Sequence, residues 1–87
     1  MNIQIEPHTL ERAEERGTTS AEIQDTLENG VEIPAHGSRR GKAKVFEFKQ
    51  KRLGKYYEHK RVEVIYVEER NQIITVTVYV FYGEWKV

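Results

Sequence analysis

The chain has 87 residues and no cysteine, and its fourteen Lys plus Arg balance fourteen Asp plus Glu to a net charge of zero. That length suits one small domain over residues 1–87, and a fold that buries only ~60 to 65% of its unfolded surface leaves little room for a deep substrate cavity. Without cysteine there is neither a disulfide framework nor a thiolate zinc site. The opening Met1–Pro7 is unlike a secretory signal, and the apolar run 73–82 is too short to be a membrane helix, so the expected location is cytoplasmic.

In chain order, Asn2 to Ile5 alternates polar and apolar and predicts a short strand. Pro7 suits the first position of a helix that runs to Arg16 and stops at Gly17, a residue tolerant of positive φ. Thr19 followed by Glu22 has capping-box spacing and opens a second helix that ends at Asn29-Gly30. Both helices are short, so Leu10, Ala13, Ile23 and Leu27 are expected to pack on a sheet. Val31 to Ala35 offers a short edge strand limited by Pro34, and His36 to Lys42 reads as a mobile basic loop. Lys44–Lys49, with Phe46 and Phe48 on one side, Arg61–Glu69 and Gln72–Tyr82 are the remaining strands. In the last, Ile74, Val76, Val78 and Val80 share one face, and Thr75, Thr77, Tyr79 and Phe81 the other. Arg70-Asn71 is a tight turn candidate between antiparallel neighbours. The predicted fold is α+β, β-α-α-β-β-β, with two short helices on one face of an antiparallel sheet of about four strands.

The zero net charge is an average over unlike segments. Residues 1–38 carry eight acids against two bases, whereas residues 39–61 carry ten bases against Glu47 and Glu58. The first balance is minus six and the second plus eight. Within the basic segment, Arg39, Arg40, Lys42, Lys44, Lys55, Tyr56 and Lys60 are candidate nucleic-acid contacts, since interleaved rings and cations can stack bases while neutralising phosphates. The competing reading is a solvated loop and an edge strand guarded by lysines.

His8, Arg12 and Arg16 recur every four residues and share one helix face, where guanidinium forks could receive a phosphate. Glu11, Glu14 and Glu15 are equally placed to pair with the two arginines. The histidines have no metal spacing and no Gly-rich phosphate loop is present, so no metal or other cofactor is expected.

The run His8-Thr9-Leu10-Glu11-Arg12-Ala13-Glu14-Glu15-Arg16-Gly17, the capped second helix, the Asn29-Gly30 stop and the closing Ile73-Ile74-Thr75-Val76 resemble a prokaryotic family of unknown function. That family carries a His-x-x-x-Arg-x-x-x-Arg-Gly helix and is similar in layout to the RelE/ParE and BrnT toxins. Thr9, where Ala is frequent, and Thr18, where an apolar residue is frequent, depart from the pattern. The resemblance implies a toxin-like RNA-binding domain acting as a metal-independent endoribonuclease in a toxin-antitoxin pair, with RNA and an antitoxin-like protein as partners. In such chemistry His8 is the candidate proton carrier and Arg12 and Arg16 the phosphate clamp. Polarity and place add Arg61 for the developing charge and Tyr79 or Tyr82 to position the base or donate a proton. The alternative class is a noncatalytic protein- or nucleic-acid-interaction module using the same basic strip and the open sheet face.

Overall fold

A computed structural model describes residues 2–86. The elements run β1 (Asn2–Gln4), α1 (Pro7–Arg16), α2 (Ser20–Asn29), β2 (Val31–Ile33), β3 (Arg40–Arg52), β4 (Lys55–Glu69) and β5 (Gln72–Gly83). The five strands form one sheet in the order β1-β5-β4-β3-β2. The fold is the expected α+β arrangement with one strand more. The sheet is mixed, because β1 runs parallel to β5 with Asn2 opposite Gln72, while every other pair is antiparallel.

Both helices end where their sequences stop them. Gly17 takes φ 91° and closes α1, and the Thr19 hydroxyl accepts the Glu22 backbone N–H at the start of α2. Arg70 and Asn71 both have positive φ and join β4 to β5 in the two-residue turn expected of them. The core gathers Ala13, Ile23 and Leu27 from the helices against Val62, Val64, Tyr66, Ile73 and Val78 from the sheet. α1 rests on β5, and α2 rests on β3 and β4.

Three local expectations change. Leu10 is exposed and Thr9 is fully buried, because the stripe of α1 that meets β5 is Thr9, Ala13 and Gly17, small residues that let helix and strand approach closely. A β-bulge between Ile65 and Tyr66 of β4 and the facing Thr75–Thr77 shifts the alternation of β5. Val78 and Val80 still face the core, but Thr75 now turns to the helices, where its hydroxyl accepts the Glu6 N–H and donates to Thr9. The basic segment is more ordered than a mobile loop, since Arg40, Gly41 and Lys42 already belong to β3.

β3 and β4 form the long hairpin of the molecule. At ~3.3 Å per residue their 13 and 15 residues would reach ~43 and ~50 Å if straight, enough to span the 42 Å long axis. The hairpin turns at Leu53-Gly54, both at positive φ, between the paired Arg52 and Lys55.

Candidate nucleic-acid interface

Alternation along β4 sorts the cations. Lys60 shares the helix-facing side with Val62, Val64 and Tyr66, and Arg61 shares the opposite side with Glu63 and Ile65. On the helix-facing side nearly every base meets the acids or the helix ends of the first third of the chain. Lys44 Nζ lies 2.6 Å from Asp25, and Lys42 donates to the Leu27 carbonyl near the end of α2. Arg40 bridges Glu68 at 3.1 Å and Glu32 at 3.6 Å. Lys60 is 2.7 Å from Glu22 and donates to the Gly17 carbonyl at 2.9 Å, while Thr18 holds the same Glu22. Three bases of residues 39–61 thus pair with three acids of residues 1–38, Arg40 with Glu32, Lys44 with Asp25 and Lys60 with Glu22.

The end of α1 is the densest of these meetings. Its last carbonyls carry the negative end of the helix dipole, and three donors from the sheet take them. Arg52 donates to Glu15 O at 3.0 Å, Tyr82 to Arg16 O at 2.6 Å, and Lys60 to Gly17 O. The rings of Phe48, Tyr57 and Tyr82 pack together there at 5.1 and 5.5 Å between centroids, with Arg52 over Tyr82, Lys60 over Phe48 and Lys55 over Tyr57. Burial pushes the Tyr82 phenol above its ordinary value, a rise reinforced by Glu22 and opposed by Arg52. Tyr82 is therefore a neutral donor at physiological pH. Beside it Lys55, Tyr56, Tyr57 and Tyr82, with the carboxylates of Glu58 and Glu84, line a groove of about 380 Å³.

The residues singled out from sequence divide accordingly. Arg16, through its carbonyl, Tyr82, Lys60, Lys55 and Tyr56 come together around this groove and the end of α1. The Arg16 side chain goes elsewhere. It donates to the Val78 carbonyl at 2.7 Å and lies 5.1 Å from the centre of the Tyr79 ring. Arg12 is held by Glu15 at 3.0 Å. His8 is exposed in the first turn of α1, about 12 Å along the helix axis from Arg16 at 1.5 Å per residue. Arg61 and Tyr79 lie on the second sheet face, where Arg61 Nε is 3.1 Å from Glu63 without a hydrogen-bond geometry. Arg39 is exposed and, with His36 and Tyr79, lines a separate hollow of about 200 Å³ on that face.

Cations left facing water concentrate at the far end of the β3–β4 hairpin. Between Glu47 and Glu58 there is no acid and there are four bases, Lys49, Lys51, Arg52 and Lys55. Lys51 has no ion-pair partner among the described residues, Lys49 reaches Glu47 only at 3.9 Å, and Lys55 stacks on Tyr57. Tyr56, cross-strand from Lys51, is 52% exposed. Lys49, Lys51 and Arg52 were not among the residues singled out from sequence. The signal that finds them is the acid-free run itself.

Among the described residues no cluster of three metal-ligating side chains occurs, and no helix is long and apolar enough to cross a membrane. No curated protein and no solved structure matches the chain. The family described as Domain of unknown function (DUF4258) matches residues 5–80, from Ile5 just after β1 to Val80 in β5. With most of its length in that match, the chain belongs to the DUF4258 family.

Proposed function

We propose that this domain is a toxin-like RNA-binding protein that grips single-stranded RNA along the end of the β3–β4 hairpin. One observation carries the reading: Lys42, Lys44 and Lys60 are held by acids or helix ends, whereas Lys49, Lys51 and Lys55 at the hairpin end face solvent beside Tyr56 and Tyr57. Phosphates would take the lysines. Unpaired bases would stack on Tyr56 and, within the groove, on Tyr57. The RelE/ParE- and BrnT-like layout suggested by the helix motif agrees with an RNA ligand, and an acidic, antitoxin-like protein would compete for the same cations.

Binding is favoured over cleavage by the distribution of the groups that cleavage needs. Metal-independent scission requires a base, an acid and positive charge around one phosphate. Here the exposed His8 stands at the opposite end of α1 from Tyr82, and Arg61 is on the other sheet face. A noncatalytic module is therefore the reading preferred for this chain, with endoribonuclease activity as its direct competitor.

Fluorescence anisotropy with a single-stranded oligoribonucleotide across a salt series tests it. With about three contacted phosphates, log Kd changes against log salt with a slope near 2, and Lys51→Glu removes about 0.7 of that slope or more. Salt-independent or absent binding refutes the proposal. Induced expression in a bacterium, scored for growth arrest and RNA decay beside His8→Ala, separates the classes: decay that His8→Ala abolishes establishes the enzyme.

A further inference from the structure

The turn that ends the hairpin holds a side chain that neither the core nor the charge pattern uses. Leu53 is 97% exposed, and its φ of 53° is left-handed, a conformation in which a Cβ crowds the next carbonyl and which two-residue turns usually give to Asn, Asp or Gly. The following Gly54 has open space around it. A polar residue at 53 would serve the turn better in both conformation and solvation. The β4–β5 turn shows the solvated solution, with Arg70 and Asn71 at the same two positions.

Resting on the RNA-binding reading, we infer that Leu53 is an apolar wedge that enters between two unpaired bases of the bound strand. Its surroundings fit that task. Arg52 and Lys55 are directly cross-strand from one another behind the turn, and Lys51 faces Tyr56 one rung further back. A strand crossing the tip would meet the ammonium groups of Lys55 and Lys51 close to a single branched apolar group, with the Tyr56 ring next in line, while Arg52 stays on the Glu15 carbonyl and the Tyr82 ring. Two-residue turns are narrow and stiff, so the wedge is already in place before binding and little ordering entropy is lost. Apolar side chains inserted at a base step and flanked by cations are a general way to unstack nucleic acid. Single strands offer the step without the work of opening a duplex.

The test uses a single-stranded oligoribonucleotide carrying 2-aminopurine, read by anisotropy for affinity and by fluorescence for unstacking. Wild type should bind with a rise in 2-aminopurine emission. Leu53→Asn, which suits the turn, should bind about tenfold more weakly with an unchanged salt slope and lose the emission rise, whereas Leu53→Met should keep both. A urea midpoint no lower than that of wild type shows that the Asn variant is folded. Leu53→Asn that matches wild type in affinity and emission, while wild type still binds with salt dependence, overturns the wedge and leaves the RNA reading standing. Wild type that binds no RNA overturns both. Leu53-dependent binding to phosphatidylserine vesicles without RNA binding assigns the tip to a membrane surface and also overturns the inference.

Discussion

Lys60→Met is the sharpest probe of how this fold uses its charge. The ammonium sits 2.7 Å from Glu22 with side-chain exposures of 9% and 25%, donates to the Gly17 carbonyl at 2.9 Å, and stacks over Phe48. Methionine keeps the length and volume of the stem, so the perturbation is the loss of charge rather than the opening of a cavity. Removing one partner of a buried pair destabilises by about 3–5 kcal/mol. The low end applies here, because Glu22 keeps a quarter of its surface in water and the Thr18 hydroxyl as a donor. The expected loss is about 3 kcal/mol, a large part of the ~4–13 kcal/mol that a domain of this length has in total. At about 4–8 °C per kcal/mol it lowers Tm by roughly 12–24 °C. Urea unfolding followed by far-UV circular dichroism measures it, and a double-mutant cycle with Glu22→Gln should return a coupling of at least about 1 kcal/mol. A loss below about 1 kcal/mol with additive single variants would refute the reasoning and make Lys60 an ordinary surface lysine.

Further outcomes follow from the same geometry. Gly17→Ala should destabilise by roughly 2–4 kcal/mol in urea, since the residue is at φ 91° and an added Cβ would collide with the Tyr82 hydroxyl and the Arg52 guanidinium. Tyr82→Phe should cost about 1 kcal/mol at neutral pH through the lost bond to Arg16 O. Because the Tyr82 phenol is raised above 10.0 in the fold, its contribution is complete below that pH and fades as pH climbs through the raised value; the gap between wild type and Tyr82→Phe should close in alkaline urea titrations. Asp25 behaves oppositely. Its carboxyl is held below 3.8 chiefly by the hydrogen bond from Lys44, then by Asn29, so its contribution is present above that pH and is lost as pH falls through the lowered value. Asp25→Asn should remove that part of the acid dependence of the urea midpoint.

What the sequence discloses is local. Pro7, Gly17, Thr19 and the Arg70-Asn71 turn act through backbone conformation and near neighbours, and each sits where its chemistry places it. The positions misread depend on distant partners. Alternation alone puts Thr75 with Tyr79, and the bulge opposite Ile65 and Tyr66, which no residue type announces, turns it to Thr9 instead. Hydrophobicity puts Leu10 inside, but the narrow approach of α1 to β5 admits Thr9 and Ala13. The basic segment was visible as a run of charge. Its division into bases that cap helices and bases that face water needed the parity of each strand position and the location of both helix ends.

The strand partnership between Asn2 and Gln72 has a temporal side. α1 also finds its seat on β5, through Thr75, Val78 and Tyr82. During synthesis β1 and α1 therefore emerge well before the strand that seats them, and they wait until β5 clears the ribosome. A chain that stops before residue 72 can form the β3–β4 hairpin and α2, but β1 and α1 then lack the strand that seats them and stay open to proteases or chaperones.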